Sequence, residues 1–147
     1  MPAAERFGMT QTQEPTEQAA AIQNDKAHIL IVDDEASVRY VLREISEAAG
    51  YRCSVVGGGI AALQFCQREQ PDLAIVDMLM PDKAGLETIE ELGQAYPAMR
   101  IVAISGGGFR GPKQLLSWAE NNGADRAFAK PFVVTDLMNA IAELLEG

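Results

Sequence analysis

The segment HILIVDDE, residues 28–35, decides the fold. It is a short apolar run that stops abruptly at a pair of acids. A strand without polar alternation is covered on both faces, as in a parallel sheet packed by helices. Two further runs of this kind follow, DLAIVD at 72–77 and RIVAIS at 100–105. YRCSVV at 51–56 and RAFA at 126–129 complete a set of five strands. Helical patterns separate them. Val38, Val41, Leu42, Ile45, Ala48 and Ala49 keep the spacing of an amphipathic helix until Gly50. Residues 59–69, 86–96 and 113–122 read as helices closed by Pro71, Pro97 and Gly123. Val134, Leu137, Met138, Ile141, Leu144 and Leu145 mark a last amphipathic helix. The spacing therefore predicts an α/β fold, a doubly wound parallel sheet with helices on both faces. Strand order is not legible in the periodicity.

The chain has 147 residues, room for one ordinary domain and a tail. Residues 1–26, rich in Gln, Glu, Thr and Ala, read as a flexible N-terminal extension with a weak helical pattern near 17–22. Residues 27–147 read as the domain. Apolar residues make up 48% of the chain, which excludes disorder throughout. The net charge of −9 disfavours nucleic acid as a direct partner, because phosphate backbones demand clustered Lys and Arg. No apolar run reaches membrane-spanning length, and the N-terminus has no apolar segment of signal-peptide length. The expectation is a cytoplasmic protein without a membrane partner. Cys53 and Cys66 read as reduced core fillers, and the lone His28 cannot support a His-rich zinc site.

In a doubly wound sheet, ligands sit at the carboxyl ends of the strands. Asp33 and Asp34 end the first strand, Asp77 the third, Ser105 the fourth, and Lys130-Pro131 the fifth. Three carboxylates brought to one rim repel one another, and a divalent cation removes that conflict. An all-oxygen donor set that leaves waters in place suits Mg²⁺. Mg²⁺ beside Asp, Ser and Lys is a phosphoryl site by chemical type, in which an Asp carboxylate can itself be the nucleophile.

ILIVDDE (29–35), DLAIVDMLMPDKAG (72–85), IVAISG (101–106) and GADRAFAKPF (123–132), in this order and at these spacings, resemble the receiver domain of bacterial two-component response regulators. The resemblance covers residues 27–146. It implies the flavodoxin-like strand order 2-1-3-4-5. It implies Asp77 as phosphoacceptor, and Asp33 and Asp34 as the acidic pair that holds Mg²⁺ with Asp77 and the backbone carbonyl of Leu79. Ser105 is implied as the switch hydroxyl and Lys130 as the phosphate-contacting lysine, followed by a cis bond to Pro131. The implied partners are a sensor histidine kinase or histidine phosphotransfer protein and an output protein. A homodimer through the face of the last two helices is a family option. Since the sequence ends just after the last helix, a stand-alone receiver is expected, a phosphoacceptor switch and not an enzyme in the ordinary sense.

Two positions depart from the family pattern. Ala127 stands where an aromatic residue or His is common, three residues before Lys130, so the usual swinging side chain is missing. Phe128 points to the opposite side by strand alternation. Readout is therefore expected to run through the glycine-rich loop 105–111 and the start of the fourth helix. Leu79 stands two residues after Asp77, where a polar residue is frequent, and leucine cannot orient an attacking water. Slow self-dephosphorylation is expected. The rival readings are a phosphorylation-independent interaction module of the same fold, favoured by Ala127, and a Mg²⁺-dependent phosphohydrolase, disfavoured by Leu79 at the place of its second Asp. Glu35 reads as an exposed acid at a helix start. The glycines at 57–59 and 106–108 read as turns, not as a nucleotide loop. Met78 and Met80 read as packing, and Trp118 lies at the edge of its helix's apolar face.

Overall fold

A computed structural model describes residues 26–80, 83–106 and 112–146. The expected extension, and most of the glycine-rich loop, lie outside the described residues. The strands are β1 (His28–Val32), β2 (Arg52–Val56), β3 (Leu73–Asp77), β4 (Arg100–Ser105) and β5 (Arg126–Ala129). Helices α1 (Ala36–Ala48), α2 (Gly59–Arg68), α3 (Gly85–Ala95), α4 (Pro112–Asn121) and α5 (Val134–Glu146) alternate with them. All strand pairs are parallel, in the order β2-β1-β3-β4-β5. The order implied by the resemblance is thus the one observed.

Alternation along each strand divides the core in two. Leu30, Val32, Ala74, Val76, Ile101 and Ala103 face one side, where Ala62 and Cys66 of α2, Ile89 and Leu92 of α3, and Ala119 of α4 cover them. Ile29, Ile31, Leu73, Ile75, Val102 and Ile104 face the other, under Leu42 of α1 and Leu137 and Ile141 of α5. Burial of β1 and β3 on both faces is why they read as unbroken apolar runs. The edge strands β2 and β5 are only half-buried, which explains their mixed sequences.

Element ends shift by one or two residues from the sequence reading. Helix α2 stops at Arg68, with the Glu69 N–H still donating to the Phe65 carbonyl, and α3 starts at Gly85. Gly50 and Gly123 have φ near +101° and +102°, the left-handed turn that ends α1 and follows α4. The Lys130–Pro131 bond is cis. Phe128 packs with the α1/α5 side and Ala127 against the opposite side, as alternation requires. Cys66 is buried and Cys53 half-buried, both as free thiols. Burial pushes both thiols up, Cys53 to about 11, so they behave as packing. His28 is buried at the opposite end of β1 from the acids and shares a 2.8 Å hydrogen bond between Nε2 and Ser54 Oγ. No helix among the described residues is long and apolar enough to cross a membrane.

Candidate functional site

Parallel register brings the carboxyl ends of the strands to a single rim. Asp77 pairs with Ile104 across β3 and β4, and Ser105 pairs with Ala129 across β4 and β5. The ladder continues one step beyond the strands. Met78 N–H donates to the Ile104 carbonyl at 2.8 Å, and Lys130 N–H to the Ser105 carbonyl at 2.7 Å. Asp33 N–H reaches the Val56 carbonyl at 3.3 Å. Each site residue therefore leaves the sheet from a backbone held by its neighbour strand.

Asp33, Asp34 and Asp77 each offer a carboxylate oxygen within 4.8 Å of the others. Asp33 and Asp77 are buried and Asp34 is exposed. Lys130 Nζ stands 2.9 Å from Asp33 Oδ2 and 3.7 Å from Asp77 Oδ2. A cleft of about 240 Å³ opens over them, lined by Asp34, Glu35, Asp77, Leu79, Gly106 and Lys130. That volume admits a phosphoryl group and several waters, at about 30 Å³ for each water. The donor set is all oxygen and anionic, which fits a hard divalent cation.

The electrostatics follow from this crowding. Burial pushes the Asp77 carboxyl up from 3.8 to about 6. The charges of Asp33 and Asp34 add to the rise, while the Leu79 N–H, 3.2 Å from Asp77 Oδ1, and the Lys130 ammonium oppose it. Burial also works against the Lys130 ammonium. The hydrogen bond to Asp33 and the charges of Asp77, Asp33 and Glu35 outweigh it and hold the group above the ordinary lysine value. Ser105 Oγ is buried and has no hydrogen-bond partner among the described residues. A buried hydroxyl left unpaired is costly, so an acceptor brought into the cleft beside Ser105 would be favoured.

Asp33, Asp34, Asp77, Ser105 and Lys130, expected at the strand ends, all lie at this rim. One other was missed. Arg39, on the first full turn of α1, donates from Nη1 to the Asp33 carbonyl at 2.8 Å, and Asp33 Oδ1 accepts from the Glu35 N–H at 2.9 Å. The acidic turn is thus clamped from both sides. An arginine on an amphipathic helix gives no sequence signal of such a contact. Glu35 is exposed as expected, but its Oε1 also lies 3.8 Å from Lys130 Nζ. Leu79 is half-exposed at the cleft edge, Met78 is buried and Met80 packs against the core. Trp118 is partly exposed on α4.

Comparison with known proteins agrees with this fold. The model of the response regulator receiver domain family matches residues 29–142. Sporulation initiation phosphotransferase F of Bacillus subtilis is 29% identical over 117 residues, 80% of this chain and 92% of that one. Chemotaxis protein CheY of Halobacterium salinarum is 29% identical over 117 residues, 80% of this chain and 95% of that one. Among solved structures, a CheY-like response regulator receiver domain protein from Methanospirillum hungatei superposes with a TM-score of 0.75 at 28% identity. That likeness covers 82% of this chain and 94% of the other.

Proposed function

The chain belongs to the response regulator receiver domain family of two-component signalling, and on that premise we propose that it takes a phosphoryl group onto Asp77 and changes its affinity for a protein partner. The observation that carries this reading is the convergence of Asp33, Asp34 and Asp77 within 4.8 Å, with Lys130 on the same cleft. Residues 27–147 act as the receiver and residues 1–26 as an extension. The donor is the phosphohistidine of a sensor histidine kinase or of a phosphotransfer protein, in the cytoplasm.

In the proposed step an Asp77 carboxylate oxygen attacks phosphorus and forms the O–P bond. The P–N bond to the donor histidine breaks, and the imidazole leaves with that electron pair. Asp77 must be ionised to attack. A pKa of about 6 leaves it mostly so at neutral pH while keeping it more basic than a solvated carboxylate. Lys130 turns its ammonium from Asp33 and Asp77 to a phosphoryl oxygen, and the unpaired Ser105 hydroxyl donates to another. Asp33, Asp34 and Asp77 with the Leu79 carbonyl would hold Mg²⁺, which supplies positive charge against the phosphoryl oxygens. Phosphorylation then biases a two-state equilibrium read by a partner.

The test is the intact mass of the protein after incubation with acetyl phosphate and Mg²⁺. One phosphoryl adduct is expected, absent with EDTA and absent from Asp77→Asn. A folded protein that binds Mg²⁺ and gains no mass would instead support a phosphorylation-independent module, in keeping with Ala127. The adduct is expected to be long-lived, because half-exposed Leu79 offers no hydrogen bond to an attacking water at the cleft edge. Leu79→Asn should shorten its half-life severalfold. An unchanged half-life would remove Leu79 from the account of its persistence.

A further inference from the structure

Lys130 faces three carboxylates, and only two belong to the acceptor and metal-holding set. The third is Glu35. It occupies the residue before α1, a position where the shorter Ser, Thr, Asp and Asn side chains cap helix amides. Here the side chain makes no cap hydrogen bond. Its Oε1 lies 3.8 Å from Lys130 Nζ, and Glu35 lines the cleft mouth beside Asp34, Leu79 and Gly106. The side chain is 62% exposed, so it takes no part in core packing. What it contributes is charge at the entrance.

That charge has a definite sign of effect. Among the described residues, Asp33, Asp34, Asp77 and Glu35 face the Lys130 ammonium, with the Arg39 guanidinium behind the Asp33 turn, so acids outnumber bases at this rim. A bound divalent cation together with Lys130 and Arg39 balances the four acids, and Glu35 then still places a negative charge at the mouth, where the donor enters. Every phosphoryl donor is itself an anion. Glu35 repels it and also engages the ammonium that must turn to the phosphoryl oxygens. Both effects grow with the donor's negative charge.

We propose that Glu35 is a specificity-determining residue that sorts phosphoryl donors by charge, slowing small dianions relative to donors of lower net charge. The inference rests on the phosphoacceptor reading of Asp77. Two small donors separate the effect. Acetyl phosphate enters as a dianion; Asp77 attacks phosphorus and acetate leaves with the P–O electron pair. Phosphoramidate, with an ammonium on phosphorus, carries one net negative charge at neutral pH. Asp77 attacks in the same way, and ammonia leaves with the P–N electron pair.

The experiment is the rate of adduct formation by intact mass, on the full chain, at saturating Mg²⁺ and low salt. Glu35→Gln should speed labelling by acetyl phosphate by roughly 3–10-fold and labelling by phosphoramidate by less than about 2-fold. Glu35→Lys should move the ratio further in the same direction. At about 0.5 M salt the gain should fall toward unity, because a charge this exposed is screened. A purely structural role would change both donors alike and would not depend on salt. Equal changes for both donors, or a gain that salt leaves intact, overturn the inference while Asp77 remains the acceptor. A parent protein labelled by neither donor overturns the phosphoacceptor reading, and this inference with it.

Discussion

Asp77→Asn is expected to be more stable than the parent chain by about 2–3 kcal/mol at pH 7 in EDTA. For a domain of this size that is a rise in Tm of roughly 10 °C. The reason is the carboxyl held at about 6 in the fold against 3.8 as its ordinary value. Ionising it beside Asp33 and Asp34, in a buried position, costs free energy that the unfolded chain does not meet. Asparagine keeps an acceptor for the Leu79 N–H and drops the charge. The sign fixes the pH dependence. A raised carboxyl favours the folded state while it is protonated, and this contribution is lost as the pH climbs from 3.8 through about 6. The parent and the variant should therefore melt together near pH 4, separate between pH 4 and 6, and stay apart above that. Mg²⁺ should close the gap at pH 7 by stabilising the parent more. Equal melting temperatures at pH 7 in EDTA would mean that the acidic rim carries no strain of this kind.

Gly85→Ala is expected to be the most damaging single-methyl change, destabilising by about 3 kcal/mol or more, at or beyond the upper end for overpacking. Gly85 opens α3, and its N–H donates to the Met78 carbonyl at 3.1 Å. A Cβ at this position would overlap the Asp77 carbonyl oxygen and the Met78 backbone. These are main-chain atoms of the acceptor turn and cannot swing aside. The helix would have to retreat from the end of β3, or the turn that carries Asp77 would have to open. Urea unfolding should show the midpoint falling sharply. The same measurement on Gly57→Ala supplies the contrast. A Cβ there meets only Arg39 Nη1 at 3.5 Å, an ordinary contact with a flexible side chain. Similar losses at both positions would show that the close approach at Gly85 is not what demands glycine.

The fold was legible because the core strands are buried on both faces. HILIV and LAIVD carry no polar alternation, and that pattern has few alternatives to a helix-covered parallel sheet. The order of strands was not legible from periodicity, since each strand reads alike whichever neighbour it takes. It came from the family resemblance, and the pairing of β1 with β2 and β3 bears it out. Asp33, Asp34, Asp77, Ser105 and Lys130 could be placed on one rim because strand ends are visible in sequence. What lay beyond reach was the partnership among them. Lys130 and Asp33 are 97 residues apart, and nothing local announces their 2.9 Å contact. Glu35 looked like one more solvated acid, and nothing in the sequence singled out Arg39. Their roles depend on side-chain direction, which residue type does not encode.

The position of β5 has a mechanical consequence. It has four residues and ladders on one side only, to β4, with both of its end residues exposed. A short margin of a sheet is the part that detaches at the least free energy, well before global unfolding. Lys130 is carried by that margin, and its N–H forms the closing rung on Ser105. On the phosphoacceptor reading, a phosphoryl group held through two of its oxygens by Ser105 and Lys130 would rivet β5 to β4 at the point where they part most readily. The chemical event at Asp77 would then be transmitted as stiffness, a shift in how often the sheet margin frays. Such an output needs no swinging ring at position 127, and Ala127 would leave it intact.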